Sequence, residues 1–216
     1  MLILTCLSQL QRLEEALRRS LPLALPVYGA VLNINRGNPG ELEVVVDSWP
    51  NFGAILARRR GEVAGGDFFF FGGGGNGTQR GGGHWEHLRA HAVGGNRGCW
   101  GEPLGILGKG TGGTGRLAPG VRVGTLSPAH VDLLNETWPY GGNARSRRYL
   151  GELLGRYPHF CLQDGAGDPL SWTLTDHFGT GTHGYTLPGH RRHGHMRAVL
   201  SLAARQAQAR GFPAFG

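Results

Sequence analysis

The chain predicts an α/β fold, with strands flanked by amphipathic helices. Three observations point there. Residues 8–20 and 143–157 carry leucine and tyrosine stripes at helical spacing. Residues 41–47, 159–163 and 169–176 read as short strands punctuated by Gly, Asp and Pro. Residues 182–211 run from a strand through a basic glycine loop into a helix.

In chain order, Leu10, Leu13, Leu17 and Leu21 mark the inner face of the first helix, with Ser8 as a possible N-cap. Glu14 with Arg18, and Glu15 with Arg19, are i,i+4 pairs on its outer face. Val27 to Ile34 reads as a strand and residues 36–40 as a turn. Glu41 to Asp47 is a second strand through Val44, Val45 and Val46, residues 48–52 are a bend, and Ala54 to Ala57 begins a third strand.

Residues 61–120 differ in character. They hold more than half of the chain's 40 glycines, including Gly72 to Gly75 directly after Phe68 to Phe71. No sustained period is visible there, and so much glycine loses a large backbone entropy on ordering, so the segment reads as disordered. In residues 105–115 Lys109 is followed by Gly110 instead of Ser or Thr and no strand precedes it, which argues against a nucleotide loop. His84, His87, His91 and Cys99 fit no common zinc spacing, so no metal centre is expected.

Regular structure is expected again from Val121. Arg122 to Ser127 is a strand, and Ser127 caps a helix through Val131, Leu134 and Trp138. Asn143 caps a second helix, whose stripe is Tyr149, Leu150, Leu153, Leu154 and Tyr157. His159 to Gln163 and Pro169 to Asp176 form a hairpin around the turn 164–168. His183 to Leu187 is the next strand, stopped by Pro188 and Gly189. The last helix starts near His195, with Met196, Val199, Leu200, Ala203 and Ala207 on one face.

The loop between them bears the clearest chemistry. A helix N-terminus presents unpaired amide N–H groups and the positive end of the helix dipole. Arg191 and Arg192 add charge, and Gly194 lets a ligand approach the backbone. The net charge of +7 also favours anionic partners. The same residues also describe a plain strand-to-helix turn with a solvated basic rim. Cys6, Cys99 and Cys161 are odd in number and far apart, suggesting neither a disulfide framework nor a CxxC site. No apolar run reaches membrane-spanning length, and no secretory signal is legible.

Several stretches carry a resemblance: PVYGAVLNINRGNP followed by VVVDSWPNF, then LLNETWPYGGNARSRRYL, PLSWTLTDHF, HGYTLPGHRRHG and ARGFP. Together they resemble the glycine N-acyltransferase family, a GNAT-type acyltransferase group, over residues 1–60 and 121–216. The resemblance implies a GNAT-like mixed sheet with flanking helices. Residues 1–60 would belong to the N-terminal domain, residues 61–120 would be a divergent Gly-rich segment, and residues 121–216 would be the acyl-CoA-binding domain without the strand and helix that follow ARGFP in the family.

It also implies transfer of an acyl group from acyl-CoA to the amino group of glycine, with acyl-CoA as co-substrate and no permanently bound cofactor. A monomer without a nucleic-acid partner and a mitochondrial location go with it. The loop resembles the pyrophosphate pattern Arg/Gln-x-x-Gly-x-Gly/Ala. Arg191, Arg192, His193, Gly194, His195 and Met196 would then contact the CoA phosphates, with Met196 standing where a small residue is usual. The glutamates of the family, one serving as proposed base, are replaced by Thr180 and Gly189, leaving His177, His183 and His190. His183 is the candidate base, beside the expected thioester; a partly buried strand histidine is the plainer alternative. Two other functions stay open: an inactive or truncated family member that binds CoA, and a basic Gly/Arg-rich nucleic-acid binder.

Overall fold

The computed structural model describes residues 1–60, 68–72 and 117–215. Two compact units divide the chain, Met1–Gly101 and Glu102–Gly216. No helix among the described residues is long and apolar enough to cross a membrane.

In the first unit, β1 (Leu2–Leu4), β2 (Leu42–Val46), β3 (Ala54–Arg59) and β4 (Phe68–Gly72) form one antiparallel sheet in that order. Helix α1 (Leu7–Arg18) buries Leu10, Leu13 and Leu17, the stripe read from sequence. The apolar run Val27 to Ile34 is not a strand. It lies in helix α2 (Leu25–Asn35), where every residue from Val27 to Asn33 is buried. Burial on all sides removes the polar face that distinguishes a helical from an alternating period, so β-branched propensity misleads there. Pro26 in the first turn and the 11-residue length are the signals for helix. Strand β4 is a second correction, because Phe68 to Gly72 pairs in register with Ala54 to Arg58 inside the segment read as lacking regular structure. The rest of that segment up to residue 116, including the nucleotide-loop and zinc candidates, lies outside the described residues.

The second unit runs β5 (Arg122–Gly124), a 3-10 turn (Pro128–His130), α3 (Val131–Thr137), α4 (Ala144–Arg156), β6 (His159–Gln163), β7 (Pro169–Thr175), β8 (Gly181–Thr186), a second 3-10 turn (Pro188–His190) and α5 (His195–Ala209). The sheet order is β5-β6-β7-β8, and each described pair is antiparallel. β5 is shorter than expected, ending at Gly124. Asn143 caps α4 as its sequence position suggests, Oδ1 accepting from Arg145 N at 3.0 Å and Ser146 N at 2.9 Å. Asp164 closes the β6–β7 hairpin, its Oδ1 accepting from Ala166, Gly167 and Asp168 N at 2.9 Å each. Leu134, Leu150, Leu153, Tyr157 and Trp172 build the core between α3, α4 and the sheet. Cys161 lies in that core, where burial pushes its thiol up to about 12 and leaves it unreactive. Helix α5 packs against β6, β7 and β8 with Val199 fully buried; Met196, Leu200, Ala203 and Ala207 are half-buried.

Candidate functional site

Strand β8 is irregular where it matters. Tyr185 faces Trp172 and Thr182 faces Leu174, so three steps on β8 oppose two on β7. The extra residue is a β-bulge at His183–Gly184. His183 takes a positive φ of 53° there, a conformation L residues adopt at a cost.

Beyond β8 the chain turns through residues 188–190 and reaches two more left-handed positions, Arg192 (φ 67°) and Gly194 (φ 77°). Gly194 is the N-cap of α5. It has no side chain to satisfy the first helical N–H groups, and no acidic residue stands in the first turn. The positive end of the helix is therefore available to an anion. An open cleft of about 480 Å³ lies in front of it. β8 contributes residues 184–186 to its wall, the loop contributes His190, Arg191, Arg192 and Gly194, and the helix contributes residues 195–197.

Arg191 is held at the rim. Its Nε donates to Thr186 O at 3.1 Å and its guanidinium lies 5.4 Å from the Tyr185 ring centroid. Its two terminal nitrogens make no hydrogen bond among the described residues. Buried His195 is held below the ordinary histidine range, first by burial and then by the neighbouring His193 and His190. His193, expected among the phosphate contacts, does not line the cleft; its ring sits 5.8 Å from that of His195. Met196 does line it, with Sδ 3.5 Å from where a Cβ on Gly184 would stand. The open bulge and the thioether thus share one wall.

His183 lies outside the cleft lining and beside it in sequence. Its ring packs edge-on to Trp138 at 4.5 Å between centroids and 5.9 Å from Tyr149. Nδ1 is 3.0 Å from Thr182 Oγ1, while Nε2 is buried without a hydrogen-bond partner among the described residues. The residue as a whole is half-buried, yet its ring is sufficiently desolvated that burial lowers its pKa to about 4. The imidazole is therefore neutral at physiological pH. His177 is buried against Phe178, with ring centroids 4.1 Å apart. Thr180 lies in the β7–β8 turn, exchanging hydrogen bonds with Asp176: its N–H donates to Oδ1 at 2.9 Å, and its carbonyl accepts from Asp176 N–H at 3.0 Å. Gly189 has open space around its missing side chain.

The helix stripes in the sequence placed Trp138 and Tyr149 on apolar faces, but nothing in their spacing linked them to His183. Tyr185 was legible only as a strand residue. Among the described residues no group of three or more His, Cys, Asp or Glu side chains is placed to hold a metal.

The second unit is a GNAT-like α/β fold with an open, arginine-lined cleft between a bulged strand and a helix N-terminus. The sequence pattern of the family described as aralkyl acyl-CoA:amino acid N-acyltransferase matches residues 1–71 and 113–158, passing over the intervening Gly-rich residues. The chain belongs to that family of acyltransferases. It is similar to the glycine N-acyltransferase-like protein Keg1 of Mus musculus, at 28% identity over 252 residues covering 95% of this chain and 85% of the relative. It is also similar to glycine N-phenylacetyltransferase of Bos taurus, at 28% over 256 residues with the same two coverages. Glycine N-acyltransferase of Bos taurus is 26% identical over 261 residues, covering all of this chain and 88% of the relative. Among solved structures, the X-ray structure of a Drosophila protein matches with a TM-score of 0.66 at 15% identity, over 98% of this chain and 87% of that one. A likeness at that identity is one of fold.

Proposed function

We propose that this chain transfers an acyl group from acyl-CoA to the amino group of glycine. The observation that carries the proposal is the basic cleft at the α5 N-terminus, opening beside the β8 bulge in a member of an acyl-CoA-using family. Phosphates of CoA would meet the amides of residues 195–197 and the guanidinium groups of Arg191 and Arg192, whose charge and N–H groups complement them. The thioester would lie along the bulge, where the interrupted ladder leaves backbone for the carbonyl oxygen.

In the reaction the glycine ammonium first releases one proton to water; the amine lone pair then attacks the thioester carbonyl carbon, and the C=O pair moves to oxygen. The amine nitrogen becomes strongly acidic on attack and gives its proton to a base. The oxyanion then reforms C=O as the C–S bond breaks, and the thiolate takes a proton. His183 is the group proposed to receive and return that proton through Nε2, a neutral, unpartnered nitrogen beside the bulge. Its low basicity suits a proton released after attack better than one removed from the free ammonium.

A second reading is favoured by one observation. Positions 180 and 189 carry no carboxylate, and Thr180 is engaged with Asp176 in the turn. A chain that binds CoA without turnover fits that. Titration calorimetry with CoA, alongside thiol release from acyl-CoA in the presence of glycine, separates the two. Binding with release supports transfer, binding without release supports the second reading, and failure to bind CoA refutes both. Single-stranded RNA binding with a steep salt dependence would instead point to nucleic acid. The mitochondrial location goes with the acyltransferase proposal, and organelle fractionation tests it.

A further inference from the structure

Outside the cleft, the densest unexplained chemistry is the ring cluster around His183. Trp138 follows α3, Tyr149 belongs to α4 and His183 to β8, so three separate elements converge there. Trp138 and Tyr149 centroids are 6.1 Å apart, and the imidazole meets Trp138 edge-on and Tyr149 at a tilt. Trp138 and Tyr149 are half-buried, which keeps the cluster within reach of the surface.

Two features set the cluster apart from ordinary packing. Buried polar atoms in folded proteins nearly always find a partner, yet Nε2 has none among the described residues. The tautomer that donates Nδ1–H to Thr182 Oγ1 leaves the lone pair on Nε2. The backbone beneath it also holds a positive φ, a costly conformation that tends to persist where function requires it. A neutral nitrogen acceptor beside the rings of Trp138 and Tyr149 complements an ammonium group, which donates N–H and is attracted to aromatic rings.

We propose that Trp138, Tyr149 and His183 form the subsite for the ammonium group of the amino-acid acceptor. Nε2 accepts one N–H, and the two aromatic rings stabilise the remaining positive charge. The inference rests on the acyl-transfer reading for the identity of the amine. It places the acceptor on elements other than the loop and helix that hold the CoA phosphates, with Gly184 as the link, since Gly184 lines the cleft and adjoins His183. The cluster thus acts in binding and orienting the amine.

The test uses the full chain, with glycine and an acyl-CoA as probes. Trp138→Leu should raise KM for glycine about tenfold and leave KM for acyl-CoA within about twofold, while Trp138→Phe, which keeps an aromatic face, should recover most of the loss. Unchanged KM for glycine, or equal changes in both constants, overturns the subsite. Circular dichroism checks folding of each variant, and Tyr149→Leu replaces Trp138→Leu if the latter fails to fold.

A second readout does not need turnover. Glycine added to the CoA-loaded chain should saturably shift the imidazole resonance of His183, assigned by its loss in His183→Asn, and Trp138→Leu or its substitute should weaken that titration about tenfold. No shift overturns the subsite. A shift without turnover leaves the subsite standing and counts against acyl transfer.

Discussion

Replacing His183 with Asn should flatten the acid limb of the stability profile. The ring's pKa in the folded chain is about 4, against the ordinary 6.5, because burial penalises its charged form. Between those values the unfolded chain binds more protons than the folded one. The stabilisation is therefore complete above pH 6.5 and is lost as pH falls toward 4. The difference corresponds to about 3 kcal/mol in total, of which about 2 kcal/mol is gone by about pH 5. Asn is the appropriate replacement because it is neutral throughout and tolerates a positive φ. Its loss of ring contacts with Trp138 and Tyr149 lowers stability at every pH alike, so that cost cancels when each protein is compared with itself. Urea denaturation at about pH 7.5 and about pH 5 measures both. The wild type should lose about 2 kcal/mol more than the variant between the two conditions. Equal losses would refute the reasoning, since they would mean that the folded ring titrates as it does in water.

Two further outcomes are expected elsewhere in the second unit. Arg191→Ala removes a guanidinium at the cleft rim together with its bond to Thr186 O, and the loss of charge-assisted phosphate contacts should weaken CoA binding by roughly tenfold to a hundredfold. Calorimetry at two salt concentrations checks it, with a shallower salt dependence expected in the variant. Gly141→Ala should be far more damaging to stability than a surface Ala elsewhere, because the added Cβ would run into the backbone carbonyl of Asn135, which also accepts from Gly142 N at 3.0 Å. A melting temperature within about 2 °C of wild type would show that the turn after Trp138 yields more readily than its packing indicates.

Much of this fold is written locally. The α1 leucine stripe, the Asn143 cap and the Asp164 turn each depend on neighbours within a few residues, so spacing and side-chain type suffice to read them. The turn into α5 is legible for the same reason: Pro188, Arg191 and Gly194 sit in sequence order around a helix start. Helix α2 was not legible as a helix, because its all-round burial erases the pattern that would separate it from a strand. Strand β4 was hidden in a glycine-rich context, and its order comes from pairing with β3, a partner set by tertiary structure. His193 was read into the site as part of the loop pattern that resembles the family's phosphate loop; its ring lies 5.8 Å from that of His195 and does not line the cleft. The cluster joins His183 to Trp138 and Tyr149, each more than thirty positions away from it, and no local rule connects them.

The account rests on acyl transfer at the junction of the β8 bulge and the α5 N-terminus. The most direct measurement is mass spectrometric detection of N-acylglycine after incubation of the full chain with an acyl-CoA and glycine, alongside the released thiol. The expected result is N-acylglycine and free CoA in equal amounts, with both sharply reduced in Arg191→Ala at limiting acyl-CoA. Thiol release without N-acylglycine, or no product at saturating substrates, would contradict it.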